Sequence, residues 1–228
     1  MNDAKIVAIT KPLIENVNSA EEFIAYCARV SNPNNQMNNE TAPKLLKYCL
    51  KNKHWSIFEM INIVMVITTT RDIARQILRH RSFSFQEFSQ RYADPTKSLG
   101  FSLKEARLQD KKNRQNSIEI QDDELEAQWK NVQMNIIQEA NYAYDWAVSK
   151  GIAKEQARAV LPEGLINSTM YMSGSLRSWI HWIQVRNHPA TQKEHRYIAE
   201  NATKEIITHF PVLKDSINEM IDENINNQ

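Results

Sequence analysis

Residues 61–81 read INIVMVITTTRDIARQILRHR. The first nine, Ile61 to Thr69, alternate weakly and are rich in β-branched side chains, which predicts a strand within a sheet. After Thr70 the period changes. Ile73, Ala74, Ile77 and Leu78 form one apolar face, predicting a helix from Arg71 to about His80 with Thr70 as its cap. The other face is cationic, with Arg71, Arg75 and Arg79 recurring every four residues.

Toward the N-terminus, Lys5 to Ile9 reads as a short strand, and Ser19 as the N-cap of a helix to about Val30, supported by Glu22 three residues on. A loop over 32–39 leads to Thr41 and Pro43, after which Leu45, Leu46, Cys49 and Leu50 mark a helix to about Asn52. Toward the C-terminus no helical period persists from Ser82 to Asn116, and Phe83 to Phe85 and Phe101 to Leu108 read as short strands. Asp122 to Ser149 is the longest helical pattern, with Leu125, Trp129, Val132, Ile136, Ala140 and Ala143 expected inside and Lys150-Gly151 closing it. Gln156 to Leu161 is a short helix stopped by Pro162, and 164–174 is extended. Helices follow at Ser175 to Val185 and Thr191 to His209, separated around Pro189. Residues 215–228 form an acidic, Asn-rich tail expected to be a last, fraying helix. With no internal repeat and no Pro- or Ser-rich linker, the pattern predicts one α+β domain over 1–228. It would be a small, largely antiparallel sheet packed by several helices, one of them long.

Composition narrows what this fold can do. Among 228 residues there are 4 glycines, none close enough to another to build a glycine-rich phosphate turn, so any nucleotide must be gripped by side chains. Lys and Arg number 28 against 27 Asp and Glu, a formal charge of +1 that offers no global field for nucleic acid or an anionic membrane. The longest apolar run, Ile63 to Ile67, is far short of the roughly 20 residues that cross a bilayer. Met1 to Lys11 lacks the pattern of a secretory signal, and Cys27 and Cys49 read as buried reduced thiols, so a cytoplasmic location is expected.

The densest chemistry lies in Arg71, Arg75, Gln76, Arg79, His80 and Arg81, followed by Glu87, Ser89 and Arg91. A solvated basic face is the ordinary explanation of such spacing. Here, however, Arg79-His80-Arg81 falls at a helix end and runs into a loop with Ser82, Ser84 and Ser89, a set of guanidinium forks and hydroxyls that suits phosphate or carboxylate. An alternative use is a nucleic-acid-binding module in which the Arg71–Arg91 patch holds the backbone while Tyr92 and nearby phenylalanines stack on bases; the near-zero net charge argues against it. His181, His188 and His195 recur every seven residues, but Pro189 interrupts them and no cysteine or carboxylate accompanies them at ligand spacing, so no metal is expected. Lys111-Lys112-Asn113-Arg114 reads as a solvated loop.

The run RHRSFSFQEFSQRYA, residues 79–93, resembles the signature of flavin-dependent thymidylate synthases, in which Arg-His-Arg is followed after seven residues by Ser, here Ser89. Gln86 stands where many members have Asn. Three further segments are similar to elements of that family in the same order: His54-Trp55-Ser56-Ile57-Phe58-Glu59, Gln156 to Pro162, and Ser175-Leu176-Arg177-Ser178 continuing to Arg186. The resemblance implies reductive methylation of dUMP to dTMP, with methylenetetrahydrofolate as one-carbon donor and NADPH as reductant through bound FAD. It implies dUMP contacts from Gln76, Arg79, Glu87, Ser89, Gln90, Arg91, Arg158 and Arg186, with Arg186 facing the uracil ring as the catalytic cation. It implies an FAD site from Ser56, Glu59, Arg79, His80, Arg81, Glu87, Ser175, Arg177 and His181, with His54 and His80 toward the folate. It also implies a homotetramer whose subunits share active sites. Such chemistry needs no protein nucleophile, in keeping with cysteines on apolar helical faces.

Overall fold

In the computed structural model, which describes residues 2–226, the opening stretch folds as a strand running straight into a helix. The elements in chain order are β1 (Asp3–Ile9), α1 (Ala20–Ala28), α2 (Ala42–Lys51), β2 (Asn62–Thr70), α3 (Arg71–Ile77), β3 (Ser84–Glu87), α4 (Pro95–Ser98), β4 (Arg107–Gln109), β5 (Ser117–Glu119), α5 (Asp123–Ser149), α6 (Lys154–Ala157), β6 (Asn167–Ser175), α7 (Leu176–Arg186), α8 (Lys193–His209) and α9 (Lys214–Asn226). Short 3-10 turns lie at Pro33–Asn35, Trp55–Met60, Arg158–Val160 and Pro211–Leu213. No described helix is long and apolar enough to cross a membrane.

The main sheet has strand order β1-β2-β6-β3, with β4 and β5 forming a separate antiparallel pair in the register Leu108 opposite Ile118. Its strands run antiparallel. The Thr10 amide after β1 donates to Asn62 O at the start of β2 (3.0 Å), and Leu176 N donates to Ile61 O (2.8 Å) while Arg71 N donates to Ile166 O (3.0 Å), so β2 and β6 run in opposite senses. Phe88 N, just past β3, likewise bonds Thr169 O near the start of β6 (2.9 Å).

The chain divides into two compact units, one comprising residues 2–3, Thr68–Arg79 and Gln86–Met170, the other Ala4–Ile67, His80–Phe85 and the chain from Tyr171 onward. In the second unit, alternation along β2 buries Ile63, Met65 and Ile67, and the apolar faces of α1, α2, α7 and α8 supply Ile24, Leu46, Trp179, Trp182 and Ile198 to the core. In the first unit a smaller cluster of Tyr144, Ala147, Ala157, Leu161 and Ile166 forms, with Phe101 against it.

Local signals mark the helix ends well. Ser19 Oγ accepts from Glu22 N (3.1 Å), Asp122 Oδ1 from Leu125 N (2.9 Å), and Ser175 Oγ from Ser178 N (3.2 Å). Several expectations need correction. Thr70 makes no side-chain cap; its hydroxyl donates to Asp72 and accepts from Lys104 Nζ (2.7 Å). The helix after it stops at Ile77, so Arg79 and His80 lie beyond it, and Arg71 is buried rather than on a solvated face. The expected strand over Phe101 to Leu108 is an isolated bridge from Phe101 to Ile166 followed by β4. Over Gln156 to Leu161, α6 ends at Ala157 and gives way to a 3-10 turn.

The largest correction concerns α5. Of the face expected inside, Leu125, Trp129, Val132 and Ile136 are exposed, Ala140 is buried and Ala143 half-buried; the residues turned inward are Gln133, Ala140, Tyr144 and Ala147. Periodicity located the helix but cannot say which part of an apolar stripe its own fold covers. Cys49 is buried and Cys27 half-buried, both free, and burial pushes both thiols up from their ordinary values. The tail is helical through Asn226, and residues 227 and 228 lie outside the described part.

Candidate active site

In the unit containing α3, the first turn of that helix is pinned to the segment before β6: Arg71 N donates to Ile166 O and Asp72 N to Glu163 O (3.2 Å). The pinning sets Arg71 and Arg75 over Glu163. Arg71 Nε lies 3.5 Å from Glu163 Oε1 and its Nη1 3.6 Å from Glu87 Oε1, while Arg75 Nη2 reaches Glu163 Oε1 at 3.3 Å. Ser168 Oγ donates to the same Glu87 oxygen (2.7 Å). These residues flank a groove of about 360 Å3 whose polar lining is Arg71, Arg75, Gln90, Glu155, Arg158 and Glu163, with Leu161 and Ile166 beneath.

Gln90 is 5% exposed, and its Nε2 has no hydrogen-bond partner among the described residues. A buried amide donor without an acceptor is costly, and an acceptor delivered by a ligand removes that cost. Arg158 Nε donates to Glu155 O (3.2 Å), and Arg91 Nε pairs with Glu155 Oε2 (3.3 Å). Arg71, Arg75 and Arg91 thus pair with the carboxylates of Glu87, Glu163 and Glu155, while the guanidinium of Arg158, in the same groove, is bonded among the described residues only to a backbone carbonyl, a balance that suits an anion. Of the expected dUMP residues, the structure brings Gln90 and Arg158 into the groove and Glu87 and Arg91 to its ion pairs. Gln76 is half-buried in α3, and Arg79 and Ser89 are exposed outside the lining. Arg71, Arg75 and Glu163 were not expected there, although Arg71 and Arg75 stand at the i, i+4 spacing that sets both on one helical face.

The unit containing α7 holds the second set. Arg177 Nη1 donates to Glu59 Oε1 at 2.8 Å, joining α7 to the turn Trp55–Met60. Burial would raise the Glu59 carboxyl, but hydrogen bonds from Ser175 and Arg177, with the Arg177 charge, hold it below its ordinary value, so it is an anion at neutral pH. Ser56 and His54 are exposed near the start of the same turn, and the His54 ring meets Tyr48 edge-on at 5.8 Å.

At the other end of α7, Arg186 Nε donates to His80 Nε2 at 2.9 Å. Only a neutral imidazole can accept there, so the ring proton of His80 sits on Nδ1. Burial first, then the charges of Arg186 and His181, push His80 down to about 4, in agreement with that tautomer. Trp182 packs edge-on against His80 at 6.2 Å and at a tilt of 42° against fully buried His195 at 5.7 Å. Burial and the charges of Arg186 and His80 lower His195 to about 3. The middle histidine of the seven-residue series, His188, accepts from Ala190 N through Nδ1 (3.1 Å). Among the described residues no group of three or more His, Cys, Asp or Glu is placed to hold a metal.

Comparison with known proteins defines the class. The family model described as thymidylate synthase complementing protein matches residues 12–212. The chain is 49% identical over 215 residues to a probable flavin-dependent thymidylate synthase of Paramecium bursaria Chlorella virus 1, covering 94% of this chain and 98% of that one. It is also 49% identical over 214 residues to the flavin-dependent thymidylate synthase of Synechocystis, covering 92% and 97%. Among solved structures, the UMP/dUMP methylase PolB of Streptomyces cacaoi bound with 5-Br dUMP superposes with a TM-score of 0.77 at 21% identity over 96% of this chain and 95% of that one, a likeness of fold. The chain therefore belongs to the thymidylate synthase complementing protein family, and the relatives that match it nearly end to end are flavin-dependent thymidylate synthases.

Proposed function

We propose that this protein makes dTMP by reductive methylation of dUMP, with FAD as its flavin, methylenetetrahydrofolate as one-carbon donor and NADPH as reductant. The observation that carries the nucleotide half of this reading is the arginine-lined groove around the unpartnered amide of Gln90. Arg158 and Arg91 neutralise the phosphate, while Gln90, Gln76, Ser89 and Glu87 position the nucleotide through hydrogen bonds. Arg79 and Arg81 are exposed and make no ion pair among the described residues, so they fit the diphosphate of a dinucleotide in a chain without a glycine-rich turn. Ser56, Glu59, Ser175, Arg177, His80, His181 and Glu87 complete that flavin site, with His54 and His80 toward the folate. When bound, the flavin supplies the hydride that converts the transferred methylene to methyl.

The protein's own part is electrostatic. Arg186 presents a permanently charged guanidinium to the uracil ring and stabilises the negative charge that develops there. Neutral His80 holds its Nε, which aims the remaining N–H groups. The enzyme works as a homotetramer whose subunits complete one another's sites. Support for association comes from α5, where Leu125, Trp129, Val132 and Ile136 make an exposed apolar ridge too regular to be scattered surface residues. The domain is a single functional unit of 1–228 located in the cytoplasm.

The test is to purify the protein, record its absorbance, and supply dUMP, methylenetetrahydrofolate and NADPH. Yellow protein and dUMP-dependent dTMP support the reading. Colourless protein that binds polynucleotide in a salt-sensitive way and forms no dTMP overturns it.

A further inference from the structure

A second groove, of about 510 Å3, lies wholly within the unit that contains α1 and α2, and none of the roles above uses it. Arg29 closes α1 and is only 7% exposed. Its guanidinium donates to Asn38 O and to Thr41 Oγ1 (2.8 Å), and among the described residues it makes no ion pair. Buried charges are ordinarily paired, and neutral acceptors offset desolvation while leaving the charge uncompensated. The guanidinium has five N–H donors, so some remain for a ligand.

Lys44, in the first turn of α2, lines the same groove, is exposed, and also makes no ion pair among the described residues. That turn contains no acidic residue and no side-chain cap. A cation at a helix N-terminus opposes the helix dipole, which makes this corner more positive still. Glu40, the acid nearest in sequence, pairs with neither cation, and Lys47 on the same helix is bound to Asp215 (3.2 Å). The wall is held open by its own bonds: Asn38 Nδ2 donates to Asn35 Oδ1 (2.9 Å) and Gln36 Nε2 to Tyr26 O (3.2 Å). Ser31, Asn32 and Asn35 add neutral polar groups to the lining, and Ala28, Leu45 and exposed Tyr48 give it an apolar and aromatic part.

We propose that this groove is an anion subsite that takes the multiply charged end of a substrate with an aromatic body, Arg29 and Lys44 meeting its carboxylates or phosphate and Tyr48 its apolar part. The choice of substrates rests on the function proposed above. That chemistry has two sources, the glutamate carboxylates of the one-carbon donor and the 2′-phosphate of the reductant.

The flavin-loaded full-length protein and its Lys44→Glu variant are titrated with tetrahydrofolate carrying one or four glutamates, and with NADPH and NADH. Lys44→Glu is expected to weaken one highly charged probe by about fivefold or more and its less charged counterpart by less than about twofold, with the difference shrinking as salt rises. Loss confined to the tetraglutamate form identifies the carboxylate tail, and loss confined to NADPH identifies the phosphate. Equal losses, no loss, or release of flavin overturns the proposal. Lys44→Gln, which removes the charge without reversing it, should show the same selectivity in smaller measure, and equal binding of all probes by that variant also overturns it. Formation of dTMP by the unaltered protein tests the underlying reading separately, since these titrations require no turnover.

Discussion

A single hydrogen bond does most to organise the proposed chemistry: Arg186 Nε to His80 Nε2. It fixes the direction of the one cation assigned to the uracil ring. Arg186→Ala should lower turnover by about 100-fold or more while the protein remains yellow, because the lost donor acts on charge formed during reaction; loss of flavin in place of turnover would reassign the residue. Gln90 offers a sharper test, since its buried amide lacks a partner. Replacing it by Leu should leave the melting temperature unchanged or raise it, by about 1 kcal/mol of stability, yet weaken dUMP binding about tenfold. Unaltered dUMP affinity by calorimetry would remove Gln90 from the site.

His195 and His80 make folding sensitive to acid. Both titrate near 6.5 in an unfolded chain and are lowered to about 3 and about 4 in the folded one, so the unfolded state takes up protons first as pH falls. Stability from this source is complete above about pH 6.5 and is lost progressively as pH drops toward 4 and then 3. His195→Leu should flatten part of that loss, read from urea unfolding at pH 7 and pH 4.5; an unchanged difference between the two pH values would show that His195 is not its origin.

At the scale of elements, the loop after α3 is docked by an aromatic contact. The Phe83 ring packs on Trp179 of α7 at 4.9 Å, and a Cβ at Gly174 in β6 would overlap that ring, with Phe83 Cε1 only 2.7 Å away. Gly174→Ala should therefore cost about 1–3 kcal/mol, visible as a lower Tm, by forcing Phe83 off Trp179. The cap at Ser19 was legible because an N-cap bond needs only three or four consecutive residues. Thr70, with the same local pattern, makes no cap because its hydroxyl is engaged by Asp72 and by Lys104, more than thirty residues away. The helix faces were not legible. The stripe Leu125, Trp129, Val132 and Ile136 satisfies every local criterion for an inward face, yet it is exposed, because what covers an apolar stripe is decided by chain far away in sequence or by another copy.

For the whole molecule the α5 ridge carries the prediction. If the proposed tetramer forms through this ridge, Trp129→Glu and Ile136→Glu together should shift the mass measured by light scattering from that of the proposed tetramer to smaller species, with activity falling alongside; an unchanged mass would place any interface elsewhere. The sequence by itself determined the class of fold, the helix starts, the absence of a glycine phosphate loop and, through residues 79–93 and three flanking segments, the family. Each of these is written in short-range spacing or in ordered motifs. Only the tertiary structure decided that Arg71 is buried between two carboxylates, that Gln90 is left with an unanswered donor, that His80 is neutral beneath Arg186, and that Arg29 and Lys44 face one groove without an acid. Desolvation and charge pairing depend on groups that meet across dozens of residues, and no local pattern records those meetings.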